Sequence, residues 1–374
     1  MKKKLIYITF NDLPNGIYIS QVIDVVKLFQ EHSVDAKLIA FLPFSKYFNE
    51  RKKIKSLFKE SIVLPSFPKL INWKLNKFWF FFLNISSDSI IITRSIFATN
   101  LFLKPAKNTY KVIYDGRGAI AAEQEEYNVY DYTGLEDKIH DLERISVLKS
   151  DYNIAVSSKL IEYWEKEFKY IKGKEVVIPS TISNNYLKKR DIQKTLLIEN
   201  QLGIIKDDIV MIYSGSKAGW QSFHLLKEFI CAILENDKRV KIIFLCKLNR
   251  IINELIQRFQ SRIIQIYVPH DEVPHYLDIA DYGLLLRENS LTNKVASPVK
   301  CAEYLSRGLK VIISSDIGDY SEEIVRNNLG IIYNSTTLLF EHNNDRENQI
   351  KYVQENLSKS SNKIIDKYMS LMKL

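Results

Sequence analysis

The 374-residue sequence lacks the short signatures that would name a reaction outright. It contains no G-x-G-x-x-G, which argues against a dinucleotide cofactor. G-x-x-x-x-G-K-[ST] and G-x-S-x-G are absent too, against a P-loop ATPase and an α/β-hydrolase. None of the six histidines falls in HExxH or another ligand spacing, so no metal site is expected. The three cysteines, Cys231, Cys246 and Cys301, sit in periodic apolar segments and read as reduced core residues. Long apolar runs are missing: the longest, residues 78–83, is far below a membrane span. Three lysines follow Met1, but the apolar stretch behind them is too short for a signal peptide. The expectation is a cytoplasmic protein.

What is present begins with charge. The formal net charge is +9, and residues 1–80 hold 14 Lys/Arg against 6 Asp/Glu. A basic face of this kind points to anionic partners: a phospholipid surface, a lipid diphosphate or nucleic acid. Nucleic acid is the weakest of these, because no zinc, helix-turn-helix or RNA-binding signature accompanies the charge. Residues 71–85 interleave Trp73, Phe78, Trp79, Phe80, Phe81 and Phe82 with Lys74 and Lys77. A helix buried between sheet and loop explains that pattern, and so does a helix lying on an anionic bilayer at the inner membrane face.

Apolar strand patterns alternate with amphipathic helices from residue 4 to residue 333, which predicts parallel sheets with right-handed crossovers. The length favours two domains. Pro179 and the polar run to Asn185 mark the hinge. The expected division is 1–185, then 195–345, then a lysine-rich helix over 346–374.

Residues 281–314 carry the densest chemistry. They read as strand, basic loop, helix and strand, with Ser297 as N-cap, Pro298 at the first helical position and Gly308 just past the end. Such a unit aims free N–H groups and a positive helix end out of the carboxyl edge of a sheet, which is an anion site. Arg287, Lys294 and Lys300 add fixed positive charge, and the Glu303 carboxylate can accept from a pair of ribose hydroxyls. An ordinary strand–helix crossover with solvated basic residues is the alternative.

The run SPVKCAEYLSRGLKVIIS (residues 297–314) resembles the donor-site signature of retaining glycosyltransferases of family 4. The resemblance implies a GT-B fold: two Rossmann-like, doubly wound parallel-sheet domains facing each other across a cleft. It also implies that Ser297 and Pro298 hold a diphosphate and Glu303 a ribose, and Val299 is a further expected donor contact. Many members place a second glutamate eight residues before the helical one, where this chain has Val295. The final helix would cross back onto the first domain. The loop Gly215-Ser216-Lys217-Ala218-Gly219 is phosphate-friendly, with Lys217 able to reach a diphosphate oxygen, although Trp220 and Gln221 stand where the family usually carries a second basic residue. No aspartate pair has the D-x-D spacing of the metal-dependent glycosyltransferase fold.

In the first domain, Asp115 and Arg117 in the turn DGRG lie where a parallel strand meets the ligand crevice. They are expected to act with Lys217 and Lys300 in catalysis, or else to form an internal pair that stabilises the turn. DGRG also resembles an element of capsule and O-antigen members. Asn15, Gly16, Gln21 and Arg94 are the expected acceptor contacts. The implied activity is metal-independent, retaining transfer of a hexosyl group from a nucleotide diphosphate sugar to a saccharide or polyprenyl-diphosphate-linked acceptor, in surface polysaccharide synthesis. Two alternatives stay open: a non-hydrolysing sugar-nucleotide epimerase on the same fold, and a non-catalytic partner-binding subunit.

Overall fold

The computed structural model describes residues 4–83, 85–103, 110–215, 219–333 and 340–374. The chain divides into two compact units. The first holds Met1–Thr181, Val295–Ser297 and Lys359–Leu374; the second holds Ile182–Lys294 and Pro298–Ser358.

The first unit is built on β1 (Lys4–Phe10), β2 (Asp35–Pro43), β3 (Ile62–Ser66), β4 (Ile90–Arg94), β5 (Lys111–Gly116), β6 (Tyr152–Ala155) and β7 (Glu175–Val177). They pair in parallel in the order β3-β2-β1-β4-β5-β6-β7. Side chains alternate between faces with period two. Ile6, Ile8 and Phe10 therefore join one apolar cluster, and Leu5 and Tyr7 the other. Covering both faces is why these strands read as nearly continuous apolar runs.

The second unit repeats the plan with β8 (Ile209–Ser214), β9 (Val240–Leu245), β10 (Ile263–Ile266), β11 (Tyr282–Leu285), β12 (Lys310–Ile313) and β13 (Gly330–Ile332). Its order is β10-β9-β8-β11-β12-β13. Strand order reverses between β1 and β4 in one sheet and between β8 and β11 in the other. Chains leaving the carboxyl ends of those strands diverge and open a crevice, where ligands bind in sheets of this type.

Four local expectations are corrected. The segment 71–85 is a 3₁₀ helix, Leu70–Phe82, with one face inward and two outward. The 346–374 tail is two helices, Glu347–Asn356 and Asn362–Ser370. Between them runs Ser358-Lys359-Ser360-Ser361, and serines that hydrogen-bond locally compete with helix propagation. Only the second helix belongs to the first unit, where Tyr368 meets Phe29 edge-on at 5.7 Å. The basic loop after β11 contains a short helix, Leu291–Lys294. Finally, Ser297 is not the N-cap of the helix Val299–Ser306: Pro298 occupies that position, and the Ser297 hydroxyl accepts from the Ser180 N–H at 2.9 Å. Gly308 has φ +78° and ends the helix as expected.

Candidate functional site

At the β8/β11 switch point the second unit gathers an unusual set of cations. β11 runs out into Arg287, whose backbone N–H donates to Ser314 Oγ at 2.9 Å. Its guanidinium donates to Asn293 Oδ1 at 3.2 Å, and both side chains are buried. The unforeseen helix Leu291–Lys294 thus has a role: it delivers Asn293, which aims Arg287. Lys294, on the same short helix, is exposed.

Lys300 comes from the first turn of the helix Val299–Ser306. Its ammonium donates to Gln221 Oε1 at 2.7 Å and to the Tyr213 hydroxyl at 3.2 Å. It also lies 4.2 Å from the Tyr213 ring centroid, a cation–π distance. Each of these hydrogen-bond partners is neutral, while the Glu303 carboxylate of the same helix attracts the ammonium without bonding to it. Burial, and then the charge of Arg287, push its pKa well below the usual lysine range. A side-chain Cβ at position 215 would collide with the Lys300 head group, so Gly215 clears the space it occupies. Ser216 and Lys217 lie outside the described residues.

Tyr304, the neighbour of Glu303, packs fully buried against β11, where any side chain at Gly283 would strike its ring. Its hydroxyl accepts from the Ser214 N–H at 2.9 Å and so fixes the end of β8. Glu303 is partly buried. Burial raises its pKa, opposed by the nearby His270, the Tyr186 phenol and Lys300. Tyr186 and His270 pack ring to ring at 5.7 Å. One turn on, Arg307 makes a buried bidentate pair with Asp278 at 2.8 and 2.7 Å and donates to the Tyr186 carbonyl at 3.1 Å. This pair anchors the C-terminal end of the helix, leaving its N-terminal end at the sheet edge.

The first unit also buries cations at its switch point, but they are matched. Asp115 receives Arg117 Nε at 2.8 Å and Arg94 at 3.7 Å. It accepts the Tyr7 hydroxyl as well. Arg94 holds Asp12 at 3.0 Å. Gln21 sits in a π-helical turn, Ile19–Ile23. Its amide bonds both backbone groups of Thr181, and its Oε1 accepts from Arg117 at 3.5 Å. The structure therefore brings Arg94, Asp115, Arg117 and Gln21 together as one closed network. Asn15 caps the turn Gly16–Tyr18 by accepting from the Tyr18 N–H at 2.9 Å. Val295 lies in the first unit's apolar cluster, and its carbonyl accepts from Ser157 Oγ at 2.7 Å.

No protein-family model matches the chain, and no curated protein matches it by sequence. Solved structures do match. A glycosyltransferase from Rickettsia africae superposes with a TM-score of 0.62 at 15% identity, covering 100% of this chain and 94% of that one. Anabaena HepE, solved in complex with UDP, gives 0.68 at 13% identity and covers 99% of each chain. A putative UDP-N-acetylglucosamine 2-epimerase from Listeria monocytogenes gives 0.55 at 12% identity, covering 98% of this chain and 90% of that one. The fold is GT-B.

Within this GT-B chain, sequence reasoning missed Gln221, Tyr213, Asn293, Tyr186, His270 and the Arg307–Asp278 pair. The signal for Gln221 was its place a few residues past a glycine-rich turn, where a basic residue was sought. The structure brings the ammonium to that spot from another element. The other five carry no spacing signal, because they meet only when separate loops converge. Among the described residues, no group of three or more His, Cys, Asp or Glu side chains gathers to hold a metal ion.

Proposed function

We propose that this chain is a glycosyltransferase that takes its sugar from a nucleotide diphosphate sugar held in the second unit. The observation that carries the reading is the part-buried Lys300 ammonium, hydrogen-bonded to neutral acceptors beside Arg287 at the β8/β11 crevice, so that two cations face the single carboxylate of Glu303. Two cations set close together away from water are costly. A diphosphate supplies the missing negative charge, and the N-terminal end of the helix Val299–Ser306 adds its backbone N–H groups. Glu303 lies one turn further along that helix, with Tyr186 and His270 brought beside it from other segments, where a ribose could be held. UDP bound in HepE supports a uridine nucleotide as the first donor to try.

Transfer proceeds with retention and without a metal cofactor. The bond from the anomeric carbon to the phosphate oxygen breaks, and its electron pair leaves with the diphosphate. The acceptor hydroxyl oxygen bonds to the same carbon, and its proton passes to the departing phosphate. Lys300 and Arg287 stabilise charge as it develops on that phosphate, a contribution worth roughly 3–4 kcal/mol per group in a dry site. The acceptor is a saccharide, free or on a polyprenyl diphosphate, of the kind used in surface polysaccharide assembly; the basic first unit suits such an anionic carrier.

Calorimetric titration with UDP, GDP and their sugars tests the reading. Saturable binding that disappears in Lys300→Ala and Glu303→Ala, with folding intact, is the expected result; absence of binding by every nucleotide overturns it. The Listeria neighbour keeps the epimerase reading on the same donor site. Consumption of UDP-sugar without any acceptor would favour it. Val295, apolar and buried where many relatives carry a glutamate, favours a binding subunit if nucleotide binds but no turnover follows.

A further inference from the structure

The 3₁₀ helix Leu70–Phe82 has three residues per turn, so its side chains stand in three columns. The inner column is Trp73, Asn76 and Trp79. Trp73 and Asn76 are buried, Asn76 accepts from the Phe67 N–H at 3.0 Å, and the Trp79 indole donates to the Pro65 carbonyl at 3.0 Å. Phe80 also turns inward, with its ring 4.3 Å from that of Phe102. These contacts fix the rotation of the helix.

The remaining columns face outward. Leu75, Phe78 and Phe81 form one, exposed by 54%, 50% and 87%. Ile71, Lys74 and Lys77 start the other, all exposed. Phe82, 67% exposed, stacks edge-on with Phe78 at 5.4 Å. The helix is tied to the end of β3 by the Trp79–Pro65 bond, and β3 pairs with β2 up to Pro43 and Ser66; the chain leaving β2 displays Phe44 and Phe48. Residues 44–82 hold 9 Lys/Arg against 2 Asp/Glu.

Single exposed apolar side chains need no explanation, but a contiguous aromatic cluster marks an interaction surface. The charge decides between partners. Protein interfaces are depleted in lysine, whereas aromatics flanked by lysines match an anionic lipid surface, with rings in the headgroup–acyl boundary and ammonium groups on the phosphates. No helix among the described residues is long and apolar enough to span a bilayer, so this face would lie on the membrane rather than cross it. We propose that Leu75, Phe78, Phe81 and Phe82 insert into an anionic phospholipid surface, with Lys69, Lys74 and Lys77 pairing with its headgroups. The inference stands apart from the donor-site reading, since it uses none of those residues.

The test is co-sedimentation of the full chain with phosphatidylcholine vesicles, with and without phosphatidylglycerol. Binding to the anionic vesicles only is expected. Phe78→Ser with Phe81→Ser should lower the partition coefficient roughly tenfold or more. Lys74→Glu with Lys77→Glu should lower it on the order of a hundredfold. All four positions are exposed, so both variants should keep the thermal midpoint and nucleotide affinity of the parent, which separates failure here from failure of the donor reading. The proposal is overturned if the parent ignores anionic vesicles at low salt, binds neutral ones equally, or if either double variant binds undiminished. It is also overturned if the parent self-associates through this face, shown by a dimer in sedimentation velocity that the phenylalanine variant loses, without vesicle binding.

Discussion

Both units bury basic side chains where their strand order reverses, yet the two sets differ in what surrounds them. In the first, Arg94 and Arg117 converge on Asp115, with Asp12 completing the balance. In the second, Lys300 meets an amide oxygen and a phenol. Fold topology makes a crevice at both places. Whether that crevice attracts an anion depends on whether the protein has already supplied one. The first network sets two guanidiniums against two carboxylates; in the second, Lys300 and Arg287 face the single carboxylate of Glu303, an imbalance that the proposed diphosphate would correct.

The contrast can be broken first at Asp115. Asp115→Ala leaves Arg117 without its carboxylate and facing Arg94, which keeps only Asp12, and should destabilise the first unit by about 3–5 kcal/mol, read as a lowered midpoint in chemical unfolding. Unchanged stability would show that the network is solvated and open. Lys300→Met should do the reverse. It removes a desolvated cation set beside Arg287, so the thermal midpoint should hold or rise, while UDP affinity and transfer fall on the order of a hundredfold to a thousandfold. A loss of stability equal to that of Asp115→Ala would erase the distinction between the two sites.

Smaller effects sharpen it. Gln221→Leu removes one acceptor from Lys300 without touching charge and should weaken nucleotide binding roughly tenfold. Protonation supplies another check. In the free protein the Lys300 pKa lies well below the lysine range because of burial and then Arg287. A bound diphosphate raises it again, so binding takes up a proton and affinity falls as pH rises through the free-state value. Calorimetry in buffers of different ionisation enthalpy should detect that uptake, and Lys300→Met should abolish it.

The smallest effect concerns Glu143, fully buried in the first unit. Burial pushes its carboxyl up to about 8, against the hydrogen bond from the Ala121 N–H. The fold thus holds this proton more tightly than the unfolded chain does. Its contribution to stability is complete below the ordinary glutamate range and is lost as pH rises toward about 8. Glu143→Gln should flatten the decline of the thermal midpoint across that window by a few degrees (roughly 1 kcal/mol is 2–4 °C at this size).

The architecture was legible because period-two apolar runs and helical repeats are local properties of the chain. The helix Val299–Ser306 was placed within a residue or two, and Lys300 and Glu303 were found from their position on that helix. Ser297 was misassigned because its hydroxyl bonds Ser180, a partner 117 residues away. The tail's break fell on a serine-rich run whose effect a helical repeat conceals. For residues 71–85 the pattern allowed burial or exposure, and three columns of a 3₁₀ helix supply both at once.

Sequence by itself determined the βα alternation, the basic character of residues 1–80 and the cluster of cations near 287–300, since each follows from residue type and spacing alone. Only tertiary structure decided which of the buried cations are neutralised. The Asp115–Arg117 pair is local, but the rest of that balance depends on carboxylates such as Asp12, 82 residues from Arg94, arriving or failing to arrive from other strands and loops, and Coulomb energies over a few ångströms carry no trace in sequence order.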